Sequence, residues 1–131
     1  MKRYLFVLAI LAVGVTTGSC SKLFKPSVKK ILTKAKWNID KIKIYEDGDP
    51  VYSTNVDDTT IEFKKNGRYE VEEDGETIDE GDWELKDKDK KIRLDPDDDS
   101  SVTYDIEKIE KDDMIWSTEE DGYEYKIYFS R

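Results

Sequence analysis

From Trp37 to the end of the chain, apolar and polar residues alternate in short runs that are separated by turn-forming residues. Alternation with a period of two is typical of β-strands that bury one face. A slip of one residue in the pairing of two such strands would move every apolar side chain to the wrong face. The turns must therefore have lengths that keep apolar residues opposite one another, and this requirement restricts the fold strongly.

The turn sequences meet this requirement when each run pairs with the next. Lys65-Asn66-Gly67 suits a three-residue loop that ends in a left-handed glycine, whereas Asp74-Gly75 and Asp121-Gly122 suit two-residue turns. With a four-residue loop around 88–89 and loops at 95–101 and 110–112, these turns predict the pairs Phe63–Tyr69, Ile61–Val71, Val71–Ile78, Trp83–Leu94, Leu85–Ile92, Leu94–Val102, Ile92–Tyr104, Ile106–Trp116, Trp116–Ile127 and Met114–Phe129.

The pattern predicts an all-β domain of eight antiparallel strands, at residues 36–45, 58–65, 68–73, 76–86, 90–95, 101–109, 113–119 and 123–130. An eight-stranded meander most simply closes into an up-and-down barrel, which removes both sheet edges. The apolar phase changes near Asp40-Lys41 and near Gly81, and we expect a β-bulge at each place. An open sheet or a two-layer sandwich is the alternative.

A short helix is expected before the first strand. Ser27 would cap it, and one apolar face would be formed by Val28, Ile31, Leu32 and Ala35. Such a helix would cover one end of the barrel.

The N-terminal residues have the organisation of an export signal. Lys2 and Arg3 precede an apolar run over residues 4–15 and then small residues up to Cys20. This order indicates a secretory signal peptide, and the run is shorter than the about 20 residues that span a bilayer as a helix. Cys20 is the only cysteine of the chain.

Gly18-Ser19-Cys20 resembles the lipobox of bacterial lipoproteins, although Thr17 stands where a leucine is usual. The resemblance implies cleavage before Cys20 and attachment of lipid to its thiol. Three regions are therefore expected: a lipoprotein signal peptide at 1–19, the lipidated cysteine with a basic linker and short helix at 20–35, and a barrel domain at 36–131. The alternative is an ordinary secreted protein in which Cys20 is incidental.

Charge is distributed unevenly along the chain. Residues 20–38 contain six lysines and no acid, whereas all 31 acidic residues lie from Asp40 onward. The basic segment is compatible either with contact to anionic lipid headgroups or with a solvated linker. The acidic body argues against nucleic acid as a partner, because phosphates would repel it.

The order of short motifs resembles that of small bacterial lipocalin-like lipoproteins. The motifs that carry the resemblance are Trp37-Asn38-Ile39, Ile61-Glu62-Phe63, Asn66-Gly67-Arg68-Tyr69, Gly81-Asp82-Trp83-Glu84-Leu85, residues 106–109 and Met114-Ile115-Trp116. The resemblance implies a lipocalin-like barrel in the bacterial cell envelope, exposed to the periplasm or the cell surface. Because Ser21-Lys22 lacks the aspartate associated with inner-membrane retention, we expect the outer membrane, facing the periplasm.

Residue types argue against catalysis. The chain contains no histidine, which removes the usual general base and imidazole metal ligands, and lipidation would consume the thiol. We therefore expect no enzymatic activity, no cofactor and no metal site. The acidic stretch at 95–100 raises the question of calcium, but it lacks the glycine and terminal glutamate of an EF-hand loop and is more simply a solvated hairpin loop.

Eight aromatic residues fall on the predicted inward faces and are candidates for ligand contact: Trp37, Phe63, Tyr69, Trp83, Tyr104, Trp116, Tyr125 and Phe129. The same rings could simply fill the barrel as its core, since eight strands leave little more room than that. The first hypothesis is an anchored monomer that binds a small apolar or amphipathic ligand. The alternative is a structural or adaptor lipoprotein that docks onto an envelope protein complex, with outward Tyr45, Tyr52 and Tyr128 as candidates for that surface.

Overall fold

The computed structural model describes residues 27–131. The elements are α1 (Val28–Thr33) and nine strands, β1 (Trp37–Glu46), β2 (Asp49–Asn55), β3 (Thr59–Phe63), β4 (Arg68–Glu73), β5 (Glu76–Lys86), β6 (Lys91–Leu94), β7 (Val102–Ile109), β8 (Asp113–Glu120) and β9 (Tyr123–Ser130). The predicted signal peptide and lipidated Cys20 lie outside the described residues.

The predicted helix forms and is capped as expected. The Ser27 hydroxyl accepts a hydrogen bond from the backbone N–H of Lys30 at 3.2 Å, which satisfies one of the free donors of the first turn. Leu32 is fully buried, and its carbonyl accepts a hydrogen bond from the indole Nε1 of Trp37 at 3.1 Å. Ala35 is exposed instead of lying on the buried face, because the helix has already ended at Thr33.

The strands form one antiparallel sheet that closes on itself. Each strand from β3 to β9 pairs with the next along the chain, and β1 pairs with β9 along nearly its whole length. On its other edge, β1 pairs first with β3, through Trp37 and Ile61, and farther along with β2. Strands β2 and β3 therefore share one position in the ring, and the predicted eight-stranded barrel is confirmed.

Strand β2 was not predicted by the alternation. Its side chains are almost all exposed, with Tyr52 56% and Val51 52% accessible. A strand that buries neither face has no period-two apolar signal, and it also contains Pro50, which disfavours strands. The turn Asp47-Gly48, with both φ angles positive, joins it to β1.

Most predicted pairs are confirmed, including Phe63–Tyr69, Trp83–Leu94, Ile92–Tyr104, Ile106–Trp116 and Trp116–Ile127. The bulge near Asp40 is also present, between Ile39 and Lys41 opposite β9.

The predicted pair Val71–Ile78 is wrong. Val71 pairs with Asp79, Glu72 pairs with Thr77, and Ile78 is the extra residue of a bulge. The phase change that we assigned to Gly81 therefore occurs three residues earlier. Because the bulge turns its side chain outward, Ile78 is 56% exposed.

The two ends of the barrel differ. We call the end that carries α1 the lower end, where the helix packs against β3 and β7. The loops at 64–67, 87–90 and 110–112 lie at the same end. The upper end carries the turns at 47–48, 74–75 and 121–122 and the loop at 95–101. The ring closes within residues 37–130 and the buried core is drawn from residues 32–129, so residues 27–131 contain a complete folding unit. Within these residues, the structure holds no helix whose length and apolar character would suffice to cross a membrane.

Candidate functional site

The lower half of the barrel is filled by aromatic rings. Trp116 is 2% exposed, and its ring lies 4.6 Å from that of Phe129, 5.0 Å from that of Tyr104 and 5.7 Å from that of Phe63, centroid to centroid. Phe63 in turn meets Trp83 edge to face at 5.8 Å. These separations are those of closely packed aromatic pairs. We call the four buried rings of Phe63, Trp83, Trp116 and Phe129 the aromatic floor, on which Tyr104 packs.

The structure brings most of the predicted ligand-contacting residues into this packed region. Six of the eight are buried: Trp37, Phe63, Tyr69, Trp83, Trp116 and Phe129. The remaining two, Tyr104 and Tyr125, are only half-buried and lie nearer the upper end. Their position makes these two the candidates that an entering molecule would reach first.

The hydroxyl of Tyr69 is already engaged within the protein. It donates a hydrogen bond to Asp95 Oδ2 at 2.7 Å. Burial of the ring, this bond and the nearby charge of Asp79 all raise the pKa of Tyr69 well above its usual value. Tyr69 therefore connects β4 to the end of β6, and its hydroxyl is not free for a ligand.

The ladder of paired strands is interrupted on one side of the barrel at its upper end. The ladder between β7 and β8 stops at the pair Asp105–Ser117. Above that pair, residues 118–120 of β8 remain paired with β9, whereas residues 102–104 of β7 pair with β6. A bulge at Glu107, just below, supplies the local change in twist. Above the aromatic floor the two walls are therefore not paired with each other, and we call this part of the barrel the mouth.

The register identifies the residues that line the mouth. Tyr125 lies opposite Thr118 on one side and Ile44 on the other, on the same inward face as Ile127, the partner of Trp116. Tyr104 faces inward beside them, because its ring packs on Trp116. Within residues 27–131, the hydroxyls of Tyr104 and Tyr125 have no hydrogen-bond partner.

The rim of the mouth is acidic. Burial and the negative charge of Glu120 raise the pKa of Tyr104, which places this carboxylate close to the phenol. Tyr123, 38% exposed, lies opposite both Glu120 and Glu46 in the ladder. The mouth thus combines half-buried rings, free hydroxyls and two carboxylates.

One buried donor beneath the mouth lacks an acceptor. The indole N–H groups of Trp37 and Trp83 donate to the carbonyls of Leu32 and Lys64, at 3.1 and 3.0 Å. Trp116 Nε1 is equally buried but has no partner among the described residues. Leaving such a donor unpaired costs about 1–3 kcal/mol, so an acceptor that reached it would be bound favourably.

The acidic loop has a structural role. The Asp95 carboxylate accepts hydrogen bonds from Tyr69 and from the backbone N–H of Asp82. In residues 27–131, no group of three or more histidine, cysteine, aspartate or glutamate side chains is arranged to hold a metal ion.

The mouth itself was missed by reasoning from the sequence. The alternation predicted that Tyr104 and Tyr125 face inward, but it did not distinguish them from the other inward residues, which fill the core. What distinguishes them is the separation of β7 from β8, for which the bulge at Glu107 is the only local signal. A phase change does mark that bulge, since Tyr104 and Ile106 are even-numbered and the core-packed Ile109 is odd-numbered, but a single shifted residue at the end of a strand is a weak signal and we did not predict a bulge from it.

Comparison with known proteins supports the fold. The chain matches no family model and no curated protein sequence. Among solved structures it is similar to a crystal structure of a lipocalin-like protein from Bacteroides uniformis, with a TM-score of 0.56 and 22% sequence identity, over 77% of this chain and 98% of that chain. Together with the closed barrel, this likeness shows that the fold is lipocalin-like.

Proposed function

We propose that this lipocalin-like protein is a lipid-anchored lipoprotein of the bacterial cell envelope that binds a small apolar or amphipathic molecule at the mouth of its barrel. The fold suggests a binding protein rather than an enzyme, since barrels of this kind present a concave interior between short loops. The observation that carries the proposal is the pair of half-buried tyrosines, Tyr104 and Tyr125, with free hydroxyls above a closed aromatic floor.

The site is shallow, which limits the size of the ligand. The lower half of the barrel is occupied by packed rings, so a ligand enters only the upper half. Its apolar part would lie on Tyr104 and Ile44, where it would cover surface that is now half-exposed. Burial of apolar area at about 25 cal/mol per Å² supplies the main favourable term.

The polar groups of the mouth select the chemistry of the ligand. Tyrosine hydroxyls donate or accept hydrogen bonds, and the Trp116 N–H can only donate. The carboxylates of Glu46 and Glu120 near the rim disfavour an anionic headgroup. A neutral or cationic amphipathic molecule with a hydrogen-bond acceptor therefore fits best.

Native mass spectrometry tests the proposal. Residues 21–131, which contain the complete folding unit, are purified gently from an extract of the source envelope so that the natural ligand is present. We expect an added mass that disappears on denaturation. A protein that stays free of any bound molecule after exposure to that extract would contradict the proposal.

Matched variants locate the ligand. Tyr104→Phe combined with Tyr125→Phe removes the two hydroxyls and keeps both rings, so the fold should persist while the retained fraction of ligand falls at least tenfold. Tyr45→Phe combined with Tyr128→Phe removes two hydroxyls that lie 3.5 Å apart on the outer face. This control should retain the ligand as the unchanged protein does, and equal losses in both variants would exclude the mouth as the site.

An adaptor role is the second candidate, and strand β2 favours it. Within the described residues β2 pairs only with β1, so its outer edge is open, and Val51 and Tyr52 are exposed there. An open edge can accept a strand from another protein. Crosslinking through a photoreactive residue at position 52 in the envelope should then capture one protein repeatedly, whereas a label at Lys88 on the lower loop should not.

A further inference from the structure

The lower end of the barrel holds a second cavity, which differs in character from the mouth. It measures about 250 Å³ and lies between α1, the β7–β8 loop and the end of β9. The lining consists of four basic side chains and one isoleucine: Lys30, Ile31, Lys34, Lys111 and Arg131. We call these residues the basic pole.

The guanidinium of Arg131 is held in place before any ligand arrives. Its Nε donates to the carbonyl of Lys111 at 2.8 Å and its Nη1 to the carbonyl of Ala35 at 3.3 Å. The group also stacks over the ring of Trp37 at 3.9 Å. Its Nη2 is buried and has no partner among the described residues. A planar guanidinium fixed in this way, with one donor left over, suits recognition of a phosphate or carboxylate.

The positive charge of the basic pole is not neutralised by neighbouring acids. Seven other basic residues in the described part of the chain form ion pairs, namely Lys36, Lys64, Arg68, Lys86, Lys91, Lys108 and Lys126. The four cations of the pole are not among them. Asp112 is close enough to act on Arg131 but forms no ion pair with it. Seven further basic residues of the described part, Lys29 and Lys65 among them, also lack an ion pair. What distinguishes the pole is that four cations line one cavity in a chain with a net charge of −9.

From these observations we infer that the basic pole binds the phosphate of an anionic phospholipid headgroup. A lipid is favoured over free phosphate because the lining includes the half-buried side chain of Ile31, which would contact the apolar part of a lipid. The acidic turns at the upper end lie at the opposite end of the barrel and would face away from an anionic surface.

Binding at the basic pole would also orient the protein at the membrane. Only six residues, 21–26, separate Cys20 from the capping Ser27 of α1, and the seven steps from one Cα to the next span at most about 25 Å when extended. This part of the inference rests on the proposed lipid anchor, whereas the phosphate site itself does not.

Vesicle flotation of residues 21–131 tests the site without any contribution from an acyl chain. We expect binding to vesicles of phosphatidylcholine with phosphatidylglycerol and none to phosphatidylcholine alone. Lys30→Gln combined with Lys34→Gln changes two exposed side chains and should lower the partition coefficient about tenfold or more. Lys43→Gln combined with Lys126→Gln makes the same change in net charge on the barrel wall and should lower it less than about twofold.

A second variant separates recognition from total charge. Arg131→Lys keeps the charge but removes the stacked guanidinium, and we expect weaker vesicle binding with an unchanged circular dichroism spectrum.

Equal losses in the pole and wall variants, or no binding to anionic vesicles, would overturn the inference. Saturable binding of inorganic phosphate in a calorimetric titration, without any binding to vesicles, would identify a free oxyanion site instead and overturn the lipid assignment. Ligand retention at the mouth, measured on the same variants, reports separately on the proposed function.

Discussion

The ring of Tyr104 packs against the indole of Trp116 with centroids 5.0 Å apart and planes tilted by 32°. This contact joins the two parts of the barrel interior, since Trp116 is 2% exposed within the aromatic floor and Tyr104 is half-buried in the mouth. One pair therefore connects the stability of the barrel to its proposed binding site, and the two roles can be separated by choosing which ring to alter.

Removal of the central ring should destabilise the fold severely. Trp116→Ala deletes a side chain that contacts Phe63, Tyr104 and Phe129, and such deletions cost about 3–5 kcal/mol. Urea unfolding followed by circular dichroism measures the loss. Tyr123→Ala on the rim serves as the control and should change the free energy of unfolding by less than about 0.5 kcal/mol. A cost below about 1 kcal/mol for Trp116→Ala would mean that the floor is loosely packed.

A methyl group added at Gly81 should destabilise the folded protein. A Cβ at this position would lie 2.9 Å from Tyr69 Cε1 and would overlap the carboxylate of Asp95. We expect Gly81→Ala to cost about 1–3 kcal/mol through overpacking.

A double-mutant cycle identifies the cause of that cost. In an Asp95→Ala background the carboxylate is gone, so the additional cost of Gly81→Ala should fall by at least about 0.5 kcal/mol. The same cost in both backgrounds would assign the effect to the backbone of β5 and not to the Asp95 side chain. Both measurements use the midpoint and slope of urea unfolding.

The free energy of unfolding should decline at alkaline pH. The pKa of Tyr69 is raised by burial and by its bond to Asp95, and that of Tyr128 is raised to about 12, chiefly by its hydrogen bond to Tyr45. An unfolded tyrosine ionises near pH 10, so stability is fully present below that pH and is lost as the pH rises toward the folded pKa values. Urea unfolding between about pH 9 and 12 measures the slope.

The contribution of Tyr69 can be isolated in the same experiment. Tyr69→Phe cannot ionise, and the slope above about pH 10 should become shallower. Tyr52→Phe, on the exposed strand β2, should leave the slope as it is in the unchanged protein. An unaltered slope for Tyr69→Phe would show that other groups cause the alkaline loss.

The bulge in β5 exposes Ile78, which can be compared with Ile92, an isoleucine that is fully buried. Ile78→Ala should change the free energy of unfolding by less than about 0.5 kcal/mol, because the side chain is 56% exposed. Ile92→Ala removes the same atoms from a fully buried site and should cost about 2–5 kcal/mol. Thermal or urea unfolding compares the two directly. Similar costs at both positions would place Ile78 inside the barrel, as the pair Val71–Ile78 had required.

Replacement of Cys20 tests the proposed anchor. Cys20→Ala removes the thiol that would carry lipid, so the protein should leave the membrane fraction, and incorporation of labelled fatty acid should cease. Stable anchoring requires more than one acyl chain, and the unchanged protein should resist extraction by high salt. Labelling that persists in Cys20→Ala would show that the thiol is not the attachment site.

The sequence by itself determined where most strands lie and how they pair. Alternation and turn chemistry are local properties, so the loop at Gly67 and the turn at 121–122 sufficed to predict the pairs Phe63–Tyr69 and Trp116–Ile127. Closure of the barrel was the simplest expectation for eight antiparallel strands, whose two edges can pair, but the sequence left an open sheet or a sandwich as the alternative.

Only the tertiary structure decided where the barrel is filled and where it is open. The pairing of β1 with β9, the separation of β7 from β8 and the exposure of Ile78 depend on how distant segments bend around one another, and period-two patterning does not record bending. The basic pole likewise joins Lys30 to Arg131 across 101 positions of the chain. The pattern of each segment indicates which of its faces is apolar, but the packing of the whole molecule determines which residues that face contacts.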